Sequence, residues 1–219
     1  MSKILLYVDG KGWEEFRLSD KEELEKRNIT IGSEAMIGHR VIIGNRAIIG
    51  DEAEIGNGAE IGYRAEIGDQ AIIRDEAEIG DRAIIGERAD IGYRAEIGYR
   101  TIIGNRAEIG YGARIGYGAR IGYEARIGYE AIIGERATIE HGVTVKSIIF
   151  SGSMHVVSYW GEDRIQIGYK SKSIAEWIDC YKDIEGYSDE QIEEYRQYIS
   201  FISEFHKSEI KELEKRNIS

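Results

Sequence analysis

The 219-residue sequence contains no proline and a single cysteine, Cys180. One cysteine excludes an internal disulfide and is typical of a reducing compartment, so we expect a cytoplasmic protein. No apolar run is long enough to cross a membrane, and the run from Ile4 to Val8 is too short for a secretory signal. The net charge of −11 argues against a nucleic-acid or anionic-lipid partner.

What the sequence does contain is a strict repeat. From Ile31 to Phe150 it repeats every six residues without insertion or deletion. An aliphatic residue opens each of the twenty hexads, glycine nearly always follows, and the fifth position is nearly always alanine. Such spacing fits no α-helix, but it fits a short strand and a corner, where glycine permits positive φ or close backbone approach. The repeat therefore predicts an all-β solenoid filled by isoleucine and alanine.

The I-G-x-x-A-x hexads resemble those of the hexapeptide-repeat superfamily, which includes trimeric acyltransferases and proteins of bacteria and their phages. The resemblance implies a left-handed parallel β-helix with three hexads per triangular coil. Residues 31–150 would then form six to seven coils. It also implies a homotrimer, and an acyl-CoA donor if the protein is an enzyme.

The segments outside the repeat predict additions at both ends of the solenoid. Residues 1–30 indicate a cap of strand, turn, return strand and short helix, with a capping box from Ser19 to Glu22. The hexad register breaks after Phe150, so we expect an irregular last coil over 151–172. Residues 173–219 predict a two-helix appendage with capping boxes at Ser173–Glu176 and Ser188–Gln191.

With three hexads per coil, the solenoid has three faces. The residue directly before the first aliphatic residue of each hexad points outward on one of them. The first face carries Thr30, Ile48, Glu66, Ile84, Ile102, Arg120 and Thr138; the second carries Met36, Glu54, Ile72, Asp90, Glu108, Arg126 and Thr144; the third carries Ile42, Glu60, Glu78, Glu96, Arg114 and Ile132. The first face is the most apolar. Its Ile48, Ile84 and Ile102 are candidates for an oligomer interface, and the alternative occupant is a C-terminal helix.

The corners carry rows of arginine and tyrosine. An arginine row (Arg46, Arg64, Arg82, Arg100 and Arg136) lies beside the third-face glutamates, which predicts a surface ion-pair network. Tyr93, Tyr111 and Tyr129 occupy equivalent corners of successive coils, which predicts stacking. Both residue types also bind anionic or aromatic ligands.

Candidate catalytic residues lie where the repeat fails. His155 is the first candidate for a general base, and His141, at a corner of the last regular coils, is the second. The candidate ligand-binding residues are close to His155 in sequence: Tyr159, Trp160, Glu162 and Arg164. His39 and His206 fit a turn and a packing role better. No zinc spacing or phosphate loop is present, so we expect no metal site.

The sequence leaves three functions open and does not decide whether the protein is an enzyme. The unbroken register favours a non-catalytic homotrimeric structural or interaction protein without a cofactor. The resemblance supports a hexapeptide-class acyltransferase that uses acyl-CoA near His155. The tyrosine and arginine corners would suit a small-ligand-binding module, whose ligand the sequence does not name.

Overall fold

The computed structural model describes residues 3–145, 148–159, 163–168, 170–183 and 186–216. The chain divides after Val145 into two compact units, which we call the solenoid unit and the C-terminal unit. Within the described ranges, no helix combines the length and apolar character needed to cross a membrane.

Each hexad of the solenoid unit contributes one short parallel strand to one of three sheets. The strands of the first face are Thr30–Ile31, Ile48–Ile49, Glu66–Ile67, Ile84–Ile85, Ile102–Ile103, Arg120–Ile121 and Thr138–Ile139. Those of the second face are Met36–Ile37, Glu54–Ile55, Ile72–Ile73, Asp90–Ile91, Glu108–Ile109, Arg126–Ile127 and Thr144–Val145. Those of the third face are Val41–Ile43, Glu60–Ile61, Glu78–Ile79, Glu96–Ile97, Arg114–Ile115 and Ile132–Ile133. Paired residues lie 18 positions apart, as in Asp51 and Asp69. Three hexads therefore make one coil, and the predicted parallel β-solenoid is confirmed.

The interior of the coils is filled by the repeated isoleucine and alanine columns. Ile49, Ile91 and the alanines beside them are almost wholly buried. Each such isoleucine contributes about 1.5–3 kcal/mol of transfer free energy relative to an exposed side chain. Thr101 takes an interior alanine position, and its hydroxyl donates a hydrogen bond to the Gly116 carbonyl at 2.8 Å, so its burial leaves no unpaired hydroxyl.

The sequence predicts two roles for glycine at the corners, positive φ and close backbone approach. In the structure these roles belong to two different positions of each corner. Positive φ falls two residues after the repeated glycine: φ is 57° at Arg100 and 64° at Gly118, the same position one coil later. The repeated glycine is needed for close approach instead. A Cβ at Gly104 would lie 2.7 Å from the Gly122 carbonyl carbon and from the Tyr123 nitrogen.

A hairpin and a short helix precede the coils. Strands Lys3–Val8 and Gly12–Arg17 are antiparallel, and the first continues the third-face sheet by pairing parallel with Val41–Ile43. Helix α1 spans Lys21–Lys26. Its predicted capping box is wrong: the N-cap is Asp20, whose carboxylate accepts from the Arg17 nitrogen at 3.0 Å instead of capping the helix.

The C-terminal unit begins with an antiparallel sheet, whereas the sequence predicts an irregular coil over 151–172. Its strands are Ile148–Ser151, Val156–Tyr159, Arg164–Ile167 and Lys170–Ser173, hydrogen-bonded in that order. Alternating side chains explain the difference, because Val157, Tyr159, Ile165 and Ile167 bury one face of the sheet.

Helices cover the buried face of this sheet. Helix α2 (Ile174–Cys180), a 3₁₀ turn (Tyr181–Asp183) and helix α3 (Asp189–Arg216) follow, with Trp177, Tyr195 and Ile199 in the shared core. The capping box at Ser173 is formed, with the Glu176 nitrogen donating to Ser173 Oγ at 3.1 Å. Ser188 and Gln191 form the equivalent pair of bonds before α3.

Candidate functional site

A groove of about 690 Å³ runs along the third face of the solenoid unit. Its floor includes the repeated glycines Gly44, Gly62, Gly80, Gly98 and Gly116, which leave the surface without side chains at that column. At one end lie Tyr7 and Trp13 of the hairpin, both exposed, with ring centroids 5.5 Å apart in an edge-to-face arrangement. The volume falls within the range of small-molecule sites, roughly 300–1,000 Å³.

A row of carboxylates forms one side of this groove. Glu78 lies directly opposite Glu60 on one neighbouring strand and Glu96 on the other. Partial burial raises the pKa of the Glu78 carboxyl, and the like charges of Glu60 and Glu96 raise it further. Glu96 is paired with Arg114 (Oε1 to Nε, 3.1 Å). The row as a whole favours a ligand that carries positive charge.

At the neighbouring corner, Asn45 also lines the groove. Its Oδ1 atom is buried and has no hydrogen-bond partner among the described residues. Buried polar atoms are nearly always paired, so Asn45 marks a place where a ligand or water would complete a hydrogen bond.

The predicted ion-pair network of the arginine row is wrong. The guanidinium groups instead lie over tyrosine rings, as Arg82 does over Tyr99 and Arg64 over Tyr63, at 5.7 and 5.2 Å from the centroids. Arg82 also donates to the Tyr99 hydroxyl at 2.8 Å. The tyrosine rings at the corners compete for the arginine side chains, and a cation over a ring is favourable even at an exposed site.

The predicted tyrosine stack is present. Tyr111 lies between Tyr93 and Tyr129, with ring centroids 5.4 and 5.0 Å apart and nearly parallel planes. Because the rings pack on each other and the arginines pack on rings, both corner ladders are consistent with a structural role.

His155 lies in the C-terminal unit, in the link between the first two strands. Its main chain is fixed by the buried Tyr195 hydroxyl, which accepts from the His155 nitrogen at 2.6 Å and donates to the His155 carbonyl at 2.9 Å. The half-buried imidazole packs against Tyr187, with ring centroids 5.8 Å apart. Ser153 in the same link donates to the Glu194 carboxylate through its nitrogen at 3.1 Å. Bonds from Ser153 and Tyr198 lower the pKa of Glu194.

The structure does not bring the predicted ligand-binding residues together around His155. Tyr159 is at the far end of the strand that His155 precedes, about 13 Å away at ~3.3 Å per residue. It is buried, and its hydroxyl lies 2.7 Å from His206 Nδ1. Arg164 donates to the Ser171 carbonyl at 3.2 Å. Trp160 and Glu162 lie outside the described residues.

Sequence reasoning missed Tyr195, Glu194 and the contact between Tyr159 and His206. Tyr195 stands in the apolar stripe of α3, which predicts burial but not that its hydroxyl binds a loop 40 positions earlier in the sequence. A periodic pattern gives the face of a helix and not the partner across it.

His141 lies in the solenoid unit at an exposed corner, with its ring 6.4 Å from that of Tyr123. His39 is also at an exposed corner, and its main-chain nitrogen donates to Asn57 Oδ1 at 2.8 Å. In the described part of the chain, no three His, Cys, Asp or Glu residues are grouped so that they could hold a metal ion.

The isoleucines proposed as an oligomer interface project from the first face. Ile48, Ile84 and Ile102 are 45%, 40% and 39% exposed, which is high for large aliphatic side chains at the middle of a sheet. The register places them in one line along the solenoid, with Ile84 beside Ile102.

Comparison with known proteins gives one partial match to a family model. A family model described as the GMPPB C-terminal domain matches residues 24–113, less than half of the chain. No curated protein matches the sequence. The three parallel sheets and the 18-residue repeat make the solenoid unit a three-sided parallel β-helix built from hexads, as the sequence predicts.

Solved structures of acyltransferases match parts of the chain at low identity. The acetyltransferase domain of PglB from Neisseria gonorrhoeae is 19% identical, with a TM-score of 0.43, and the match covers 54% of this chain and 51% of that one. PerB from Caulobacter crescentus, solved with CoA and GDP-perosamine, is 21% identical (TM-score 0.37; 59% and 62% covered). UDP-N-acetylglucosamine acyltransferase from Campylobacter jejuni is 14% identical (TM-score 0.41; 77% and 78% covered). The chain spans about half the length of the first of these structures.

Proposed function

We propose that the protein is a hexapeptide-class acyltransferase that moves an acyl group from acyl-CoA to an amine. The third-face groove carries the proposal, because it offers a small-molecule-sized site on the β-helix that the hexads predict. The donor class comes from the sequence resemblance. PerB and the PglB domain, solved with CoA or acetyl coenzyme A, supply the ligands to test.

The chemistry of the groove favours an amine acceptor. Crowded carboxylates at Glu60, Glu78 and Glu96 attract a protonated amine. The charge of the amine offsets the repulsion that, after burial, raises the pKa of Glu78. The edge-to-face pair of Tyr7 and Trp13 provides an apolar surface for the rest of the ligand. An amino sugar combines these two features.

A general base completes the proposed reaction. The bound ammonium first releases one proton to water, and the resulting amine attacks the thioester carbonyl. Its second N–H proton passes to an imidazole, the C–S bond breaks, and the imidazolium returns that proton to the thiolate, which leaves as CoA. The sequence candidates for this base are His141 of the solenoid unit and His155 of the C-terminal unit; neither is among the residues that line the groove, and the substitutions below decide between them. The fixed main chain of His155 favours it, since positioning is a large part of what a general base contributes.

The test is release of free thiol from acetyl-CoA in the presence of a panel of amines that includes amino sugars. His155→Ala or His141→Ala should lower kcat by roughly 100-fold or more, whichever is the base. His39→Ala is the matched control and should not change the rate. Glu78→Gln should raise KM for the amine. If the folded wild-type protein releases no thiol with any amine, the acyltransferase proposal is wrong.

The second candidate is a non-catalytic structural or interaction protein. The uniform corners favour it: positive φ recurs at the same position from Glu34 to Gly142, and no loop is inserted between coils. Such a protein would lack transferase activity and acyl-CoA affinity while still assembling through its faces.

In either case we propose a homo-oligomer that uses Ile48, Ile84 and Ile102 of the first face, and the resemblance implies a trimer. Ile84→Glu should dissociate the oligomer because it places a charge in the apolar row, and light scattering measures the mass. An oligomer of unchanged mass would place the interface elsewhere. The single Cys180 supports the cytoplasm as the compartment.

A further inference from the structure

We infer that the hairpin end of the third-face groove is a subsite for an alkylated ammonium group, such as the trimethylammonium group of choline. The inference goes beyond acyl transfer and does not depend on it, because a quaternary nitrogen has no lone pair and cannot accept an acyl group. Three features of this end of the groove carry it: an aromatic corner, a floor of bare main chain and a neighbouring carboxylate.

The aromatic corner consists of Tyr7 and Trp13. The two residues are directly opposite each other in the hairpin, and their ring planes lie at 77° to each other. The rings therefore form two walls at nearly a right angle, and both side chains are exposed. A cation in that angle would lie over both ring faces, which is how aromatic side chains bind quaternary ammonium ions.

The corner has no cation of its own. Elsewhere in the solenoid unit, guanidinium groups lie over aromatic rings, as Arg27 does over Phe16 of the same hairpin at 5.1 Å from the centroid. Among the described residues, no arginine or lysine lies over Tyr7 or Trp13 in this way. The two rings are therefore open to a cation that comes from outside the chain.

The floor beside the corner is bare main chain. Leu5 pairs with Ile42, so Tyr7, two residues further along its strand, lies level with Gly44. Gly44 and Gly62 both line the groove, and a bulky group can therefore approach the floor closely. A primary ammonium ion is strongly hydrated and needs hydrogen-bond partners in place of water, whereas the methyl groups of an alkylated one suit ring faces and an apolar floor.

Glu60 supplies the opposite charge. It pairs with Ile42 on the strand between its own and that of Tyr7, so the two strands are roughly 10 Å apart at ~4.8 Å per spacing. Within the described part of the chain Glu60 makes no ion pair, whereas Glu96 of the same row is paired with Arg114. An alkylated ammonium group beside the corner would have ring faces on one side and this carboxylate on the other.

A comparison of ligands on the wild-type chain tests the role of charge. Isothermal titration calorimetry without any acyl-CoA compares choline with its uncharged isostere, the alcohol in which a tert-butyl group replaces the trimethylammonium group. Choline should bind saturably, and the isostere should bind about tenfold more weakly or worse. Equal affinities would mean that the groove recognises shape alone. That result, or no saturable binding of choline up to tens of millimolar, would overturn the inference.

Substitutions test the location. Trp13→Ala should weaken choline binding about tenfold, and Trp13→Phe, which keeps a ring, should retain most of the affinity. Glu60→Gln should weaken binding severalfold and reduce its dependence on salt. Tyr129→Ala and Glu54→Gln are the matched controls, because they remove an exposed ring and an exposed carboxylate that do not line this groove. Thermal unfolding followed by circular dichroism checks that each variant is folded.

Ethanolamine, whose ammonium group carries no methyl groups, tests the preference for alkylation. Trp13→Ala should cost it less affinity than it costs choline, and an equal loss would overturn the assignment to an alkylated ammonium. Wild-type choline affinity in folded Trp13→Ala would likewise overturn the subsite. A chain that binds choline in this way but releases no thiol from acyl-CoA would keep the subsite and lose the proposed transferase function, so the two proposals fail separately.

Discussion

At the scale of single residues, the repeated glycine is required by the neighbouring coil. A methyl group at Gly104 would meet only main-chain atoms, at 2.7 to 2.9 Å, which cannot rotate away. At Gly134 the same methyl group meets nothing within 4 Å. Arg74 occupies the equivalent position in another coil, so the backbone can move to accommodate a side chain at some cost.

We therefore expect Gly104→Ala to lower the free energy of unfolding by about 1–3 kcal/mol, the usual range for overpacking. Gly134→Ala, the matched control, should be close to neutral. Urea unfolding followed by circular dichroism measures both. Equal effects at the two positions would mean that glycine is required by the corner itself and not by the neighbouring coil.

The raised pKa of Glu78 predicts a pH-dependent stability. A carboxyl whose pKa is higher in the folded chain binds its proton more tightly there, so the fold loses stability as pH rises from the unfolded value of about 4.5 through the folded pKa. Glu78→Gln cannot ionise, so it should raise Tm at pH 7 and make little difference below pH ~4.

Glu54→Gln is the control for this prediction. Glu54 is an exposed outward glutamate whose sheet neighbours are Met36 and Ile72, so it has no like charge beside it. Because no like charge is relieved there, its substitution should raise Tm at pH 7 less than Glu78→Gln does. A fall in Tm at pH 7 for Glu78→Gln would show that the carboxylate row stabilises the fold.

At the scale of elements, Tyr195 joins helix α3 to the link that carries His155. Its buried hydroxyl accepts from the Met154 and His155 nitrogens and donates to the His155 carbonyl. Tyr195→Phe leaves those main-chain groups without this partner, and we expect a loss of about 1–3 kcal/mol in thermal or urea unfolding. Tyr198→Phe removes a hydroxyl bonded to the half-buried Glu194, which also accepts from Ser153, and should cost less.

The same two variants probe the proposed base. If His155 is catalytic, Tyr195→Phe should lower kcat at temperatures well below its Tm, because the main chain of His155 is no longer fixed. Tyr198→Phe should keep wild-type kcat. Unchanged kcat in both variants would favour His141 as the base.

The repeat made the solenoid unit predictable, while the C-terminal unit had no comparable signal. Each hexad has the same surroundings as its neighbours, so one unit of sequence determines its face, its corner and its burial. Ile167–Gly168 resembles a hexad opening, yet Gly168 has φ of 57° and lies between antiparallel strands. The bond between Tyr159 and His206 joins positions 47 residues apart, beyond the reach of any periodic pattern.

At the scale of the whole molecule, the three faces share one backbone and differ in chemistry. The third face holds a groove with a carboxylate row, and the first carries the exposed isoleucines. Ligand binding and self-association are therefore proposed for different faces of the solenoid unit. The regular backbone by itself favours neither, since function depends on the side chains that each face presents.

Donor binding separates the enzyme from the structural protein. A ligand that binds only the folded chain stabilises it by about 2.7 kcal/mol at 100 times its Kd, so acetyl-CoA at millimolar concentration should raise Tm by several degrees. ATP carries a similar polyphosphate charge and serves as the control, because a shift with both would reflect charge alone. A Tm that is constant with acetyl-CoA, longer acyl-CoAs and free CoA would favour the non-catalytic solenoid, for which the proposed assembly through the first face needs no small molecule.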